Sequence, residues 1–174
     1  MLRCTRILEP AAAAAAMHEL ELDYDARVKS RLAAVCCDGM AVAIILPRGS
    51  VMRDGTLLGT DDGTVVRVTA APQPVMRITA GDTLGLARAI YHLANRHVPA
   101  QLAADHVLIE RDPVLERMLV ALGAQVEHRT LPFDPEPGAY GGGHSHDEPD
   151  VTSATLGEQL SIEAHRARDE RSRS

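Results

Sequence analysis

The sequence predicts an α+β protein with a mostly β first part, a mixed second part and a charged tail. Three observations carry that prediction. Residues 1–73 hold short, alternating apolar runs broken by Asp-Gly and Pro signals. Residues 74–140 interleave strand-like runs with two capped amphipathic segments. Residues 141–174 lose hydrophobic periodicity and carry glycine, acidic residues and histidine.

In the first part, residues 18–23 (HELELD) alternate apolar and polar, and residues 28–35 do so in part. Asp38-Gly39 marks a turn, and residues 41–47 form an apolar strand stopped by Pro47. Asp54-Gly55 and Asp62-Gly63 repeat one device, an Asp-Gly turn leading into β-branched or apolar residues. Nothing here sustains a helical period. The two prolines of residues 71–74 (APQP) read as a linker.

The second part opens with a strand over residues 74–79. A helix follows, capped by Asp82 or Thr83, with Leu84, Ala87, Ile90, Tyr91 and Ala94 recurring at helical spacing. Residues 97–102 and 106–110 form two short strands around a polar bend at Ala104-Asp105. A second helix has Asp112 as cap, Pro113 at its first position and Gly123 at its end, with Leu115, Met118, Leu119 and Leu122 as its stripe. Residues 124–131 supply the last strand. The order β-α-β-β-α-β is the split arrangement called ferredoxin-like.

Composition removes whole classes of function. The chain has no Trp, one Phe and three Tyr, which leaves little to stack on bases. Residues 134–174 hold nine Asp/Glu against four Arg, a net of −5, so of the overall −6 only −1 falls on residues 1–133. A near-neutral body lacks the basic footprint of a nucleic-acid binder. Cys4, Cys36 and Cys37 are odd in number and suggest no disulfide framework, which suits a reducing compartment. Glu9-Pro10 interrupts the apolar start, which argues against a signal peptide, and no apolar run nears the roughly 20 residues of a membrane span. A cytoplasmic protein without membrane contact is expected.

Chemistry points to histidine. G-x-S-x-G, H-E-x-x-H, the phosphate-binding loop and a helix-opening G-x-G-x-x-G are all missing. Cys36 and Cys37 lie in a strand-like segment and read as structural thiols. His97 follows the first helix and precedes Val98-Pro99. Two readings compete there: compensation of the helix dipole, which position alone favours, or a metal ligand awaiting partners. His144 and His146 form H-x-H in a Gly-rich acidic stretch; they are either solvated chance residues or imidazoles able to close over an ion. His92 shares the helix with Tyr91 and reads as structural. His18, His106, His128 and His165 carry no assignment.

Residues 91–102 (YHLANRHVPAQL), 112–140 (DPVLERMLVALGAQVEHRTLPFDPEPGAY) and a histidine-bearing tail together form an ordered set of specific blocks. With RILEP, ARVKSR, DGMAVAIILPRG and MRDGTLL in the first part, the chain resembles the family of accessory protein E of urease maturation, the nickel metallochaperones known as UreE. The resemblance runs from near residue 1 to about Tyr140. It implies a peptide-binding-like β domain over 1–73, a ferredoxin-like metal-binding domain over 74–140 and a flexible acidic tail over 141–174. It further implies a homodimer in which His97 meets its symmetry mate, with His144 and His146 completing the shell around Ni(II) carried as cargo. The implied partners are the urease apoprotein complex and its GTPase accessory protein.

Some relatives carry long polyhistidine tails, and this chain does not; one shared ion per dimer is therefore expected rather than storage. Imidazole also accepts Zn(II) or Cu(II) in vitro, since ligand type alone does not select nickel. A site of two fixed imidazoles and tail ligands can release its ion stepwise. Micromolar-class binding, about −8 kcal/mol, is expected. The chain is expected not to be an enzyme. Its alternative reading is a metal-independent peptide-binding adaptor of a maturation complex; a metallohydrolase is disfavoured because no carboxylate stands at general-base spacing to a two-histidine motif.

Overall fold

The structure is a computed structural model and describes residues 1–9 and 16–137. Two sheets organise them. The first is built from β1 (Leu2–Leu8), β2 (Ala16–Leu22), β3 (Arg31–Val35), β4 (Ala41–Ile45), β5 (Leu57–Thr60) and β6 (Val65–Ala70). Their order is β2-β6-β5-β1-β4-β3, with β1/β4 and β2/β6 parallel and the other pairs antiparallel. The sheet curls toward a barrel: just past β3, the Cys37 amide donates to the Glu19 carbonyl of β2, linking the two edge strands (2.8 Å).

Alternation drives this curl. Val42 and Ile44 on β4, Leu20 and Leu22 on β2, and Val66 and Val68 on β6 point inward and pack with Cys4, Cys36, Leu46, Met52 and Leu58. Each such aliphatic side chain contributes roughly 1.5–3 kcal/mol on burial. A single helical turn, α1 (Tyr24–Arg27), interrupts the β pattern. Asp23 caps it, accepting from the Ala26 amide at 2.8 Å. Four residues are too few to show a periodicity, so this turn is invisible to a search for helical spacing.

The second sheet comprises β7 (Pro72–Thr79), β8 (Gln101–Leu102), β9 (Val107–Glu110) and β10 (Gln125–Pro132), with helices α2 (Thr83–Ala94) and α3 (Pro113–Ala121) between them. Its order β10-β7-β9-β8, antiparallel throughout, is the ferredoxin-like 4-1-3-2 arrangement expected from the sequence. Met76, Ile78, Val107 and Ile109 face the helices and meet Leu86, Ala89, Leu93 and Leu119. Val75 and Leu108 point the other way, onto Phe133 and Tyr24.

Two expectations change. Residues 72–74 are not a linker but the start of β7, paired with Thr130 to Pro132 of β10. The prolines are tolerated because β9 joins β7 only from Val75 onward, so no strand lies beside them on that side. On α2, the expected stripe is mostly the wrong arc, with Ile90 the one member of it that packs against the core. Leu86, Ala89 and Leu93 are buried, whereas Leu84 is 59% and Tyr91 64% exposed. The helix carries two apolar arcs, and periodicity does not say which one the sheet covers. On α3, Leu119 is buried with Leu115 and Met118 packed beside it, while Leu122 at the helix end is exposed.

Candidate metal centre

Helix α2 starts on Asp82, whose carboxylate accepts from the Gly85 amide at 2.7 Å. Its end is a Schellman motif. The His97 amide donates to Ala94 (2.9 Å) and the Val98 amide reaches back to Leu93 (3.3 Å), while Val98 packs against the core that Leu93 joins. His97 is the left-handed residue of that motif, with φ +54°, and the only non-glycine with positive φ among the described residues. A β-carbon in this conformation costs roughly 1–2 kcal/mol. The fold therefore holds an imidazole where glycine would be easier.

The side chain of His97 is exposed. It lines an open groove of about 420 Å³ with Tyr24, Ile90, Ala94, Leu102 and Glu136. Burial pushes the Tyr24 phenol above its ordinary pKa, with the Glu110 charge adding to it. Beside the groove runs the uncovered arc of α2, where Leu84, Ala87, Tyr91 and Ala94 face outward. A helix end thus presents a histidine at the margin of an apolar surface.

The other described histidines have nearby occupations. His18 Nδ1 lies 2.5 Å from Asp38, His106 Nδ1 2.6 Å from Asp105, and His128 Nε2 3.0 Å from Glu116. His92 meets the Tyr91 ring edge-on at 5.4 Å between centroids. No such partner engages the His97 ring among the described residues. Among them there is also no group of three or more His, Cys, Asp or Glu side chains arranged to hold a metal ion. His144, His146 and His165 lie outside the described residues. Cys36 is buried, as expected of a structural thiol, but Cys37, read the same way, is exposed, since neighbouring residues of an extended chain face opposite sides; Cys4 is buried as well.

One feature of the site has no sequence signal. Arg27 is wholly buried. It donates to the carbonyls of Met52 and Phe133 and, at 2.7 Å, to the Asp134 carboxylate. Arg53 Nε holds the other carboxylate oxygen at 3.0 Å. Next to this pair, the Asp134 amide donates to the Gln101 side chain and the Glu136 amide to the Ala100 carbonyl, both at 2.8 Å. Residues 133–136 are thereby fastened both to the first sheet's loops and to the strand that follows His97. Nothing within a few residues of Arg27 or Asp134 announces a contact between positions so far apart.

Fold and site together define a two-part α+β protein whose distinctive imidazole stands on an open surface at a helix end. The family model described as UreE urease accessory protein, N-terminal domain, matches residues 4–71, and that described as UreE urease accessory protein, C-terminal domain, matches residues 73–167. The urease accessory protein UreE of Burkholderia ambifaria is 52% identical over 149 residues, covering 84% of this chain and 73% of that protein. The protein of the same name from Ralstonia nicotianae is 56% identical over 128 residues, 74% of this chain and 61% of its own length. That from Paraburkholderia xenovorans is 51% identical over 148 residues, 84% of this chain and 66% of its length. The chain belongs to the UreE urease accessory protein family.

Proposed function

We propose that this protein carries Ni(II) as cargo for assembly of the urease active site and holds the ion at the interface of a homodimer. One imidazole does not retain a transition metal, but an isologous interface doubles every residue on its axis. His97 from each chain supplies the fixed pair of ligands. His144 and His146 supply further imidazoles. The observation that carries this reading is the left-handed conformation of His97, an energetic cost accepted at an exposed helix end beside an uncovered apolar face.

The apolar arc of α2 supports the dimer. Leu84 and Tyr91 are large, exposed and one helical face apart from the core residues, so a second copy of the same face covers them with the two His97 side chains brought near one another. Delivery is to the urease apoprotein complex together with its GTPase accessory protein. Family membership supports that role in urease maturation. Among the described residues no helix is long and apolar enough to cross a membrane, in keeping with a cytoplasmic carrier.

Calorimetric titration with nickel tests the reading. One ion per dimer in the micromolar class is expected; His97→Ala abolishes the tightest site with the fold retained, and deletion of 141–174 weakens binding without removing it. Full nickel affinity in the His97→Ala variant overturns the assignment. A metal-independent adaptor is distinguished by thermal melting, because an ion bound only by the folded dimer raises Tm with its concentration.

A further inference from the structure

We propose that the outer face of the β3–β4 hairpin, with the loop after it, is a docking surface for an acidic segment of a partner protein that carries aliphatic side chains between its carboxylates. None of its residues lines the groove of His97, so this contact is separate from nickel binding. Where one face of an antiparallel pair packs on the core, the other face is ordinarily polar. The first sheet follows this rule at β2 and β6, where Glu19 lies opposite Arg67 and Glu21 opposite Thr69. The hairpin breaks it. Leu32, Ala34, Val42 and Ile44 take the core side. Turned outward are Arg31 opposite Ile45, Ala33 opposite Ala43 and Val35 opposite Ala41. Val35 is 63% exposed, more than any other large aliphatic residue of the first sheet's strands.

The loop extends this surface. The Leu46 amide donates to the Ser30 carbonyl at 2.7 Å and the Met52 amide to the Arg27 carbonyl at 2.9 Å, which lays residues 46–52 alongside residues 27–30. Val28, Pro47 and Val51 are exposed there. Charge decides what covers these apolar groups. Arg31 stands on the face, Arg3 of β1 lies opposite Ala43, and Lys29 and Arg48 stand at the loop end; all four are exposed. Among the described residues none of the four side chains makes a hydrogen bond or ion pair. From residue 26 to residue 53 the one carboxylate is Asp38, past the far end of β3 and occupied by His18. Asp61, near β1, takes the Thr5 hydroxyl. In a chain of net charge −6, four cations without acidic partners thus rim one apolar face. A second copy of the same face is a poor occupant, because isologous pairing would set cation against cation. Carboxylates of another protein neutralise the rim while aliphatic side chains between them cover Val35 and Ile45.

Fluorescence anisotropy with two labelled peptides of about 12 residues tests this on the full chain, one alternating glutamate with valine and the other lysine with valine. The glutamate peptide is expected to bind with a Kd of about 100 μM or tighter, and the lysine peptide not to bind. Raising salt from about 0.05 M to about 0.5 M should weaken the glutamate peptide about tenfold. Arg31→Glu combined with Arg48→Glu should weaken it at least tenfold and let the lysine peptide bind in its place. Val35→Ser, which touches no charge and no core residue, should weaken it about threefold or more. Nickel Kd should be unchanged in both variants, which separates loss of this surface from loss of the metal site. Absence of glutamate-peptide binding overturns the proposal, as does binding that survives the double charge reversal. Equal binding of both peptides by the natural chain would show an apolar face without charge preference and overturns it too. If Val35→Ser lowers the mass of the assembly in sedimentation, the occupant is a second copy and the proposal falls.

Discussion

His97 and Gly123 occupy equivalent positions in two copies of one helix-ending motif. After α2, His97 sits at φ +54° with Val98 bonded back to Leu93; after α3, Gly123 sits at φ +85° with Ala124 bonded back to Leu119 at 3.0 Å. Glycine enters this conformation without a steric penalty, and histidine does not. The contrast separates a helix end built for stability from one that also presents a side chain.

Exchange of the two chemistries therefore has opposite effects on stability and binding. His97→Gly relieves the left-handed β-carbon while adding freedom to the unfolded chain, and the variant should be between about 0 and 1 kcal/mol more stable. Its nickel site should nonetheless be lost. Paired thermal melts and nickel titrations check this, and a variant that both melts lower and keeps its nickel contradicts it.

Tyr91→Glu places a charge on the uncovered arc of α2. The monomer fold should survive, since Tyr91 is 64% exposed and lies off the buried Leu86–Leu93 face. Dimerisation should weaken by tenfold or more, because the interface would have to desolvate two carboxylates. Sedimentation equilibrium reads the mass directly; an unchanged dimer would remove this face from consideration.

Arg27→Ala removes one side of a buried ion pair and leaves a cavity under Tyr24, whose ring lies 5.6 Å from the guanidinium carbon. A loss of about 3 kcal/mol is expected, the low end for such a change because Arg53 still compensates Asp134. Arg27→Met should cost less, since it keeps volume without a charge to satisfy. Urea unfolding of the two variants gives the comparison.

Acid should weaken the turn at Asp62. The Thr60 hydroxyl at 2.5 Å, and then the Thr64 amide, hold the Asp62 carboxyl down to about 2 from its ordinary 3.8. A depressed folded-state value means the stabilisation is complete above the unfolded value and is lost as pH falls from about 4 through about 2. Asp38 and Asp105 shift in the same direction, through hydrogen bonds to His18 and His106. Asp62→Asn should flatten the fall of Tm between pH 4 and pH 2.

Alkylation should distinguish the three thiols. Burial pushes Cys4 up to about 11 and raises Cys36, with each thiol further opposed by neighbouring negative charge. Cys37 is exposed. Iodoacetamide at pH 8 should therefore label one residue per native chain and all three in denaturant, as counted by mass spectrometry.

The sequence on its own determined the element order of residues 74–132, the starts of α2 and α3 and the end of α3, because caps and alternation act within three or four residues, whereas the turn α1 escaped it. Asp82, Asp112 and Gly123 do in the structure what their neighbours in sequence imply. The ordered blocks around His97 also carried the family resemblance. Tertiary structure alone decided which arc of α2 is buried, since Leu84/Tyr91 and Leu86/Leu93 each recur at helical spacing and the opposing sheet chooses between them. It alone put Pro72 and Gln73 into a strand, and it alone joined Arg27 to Asp134 across 107 positions. Local signals fix what a segment becomes; what it is covered by, and which charges must then find each other out of water, depends on every other segment at once.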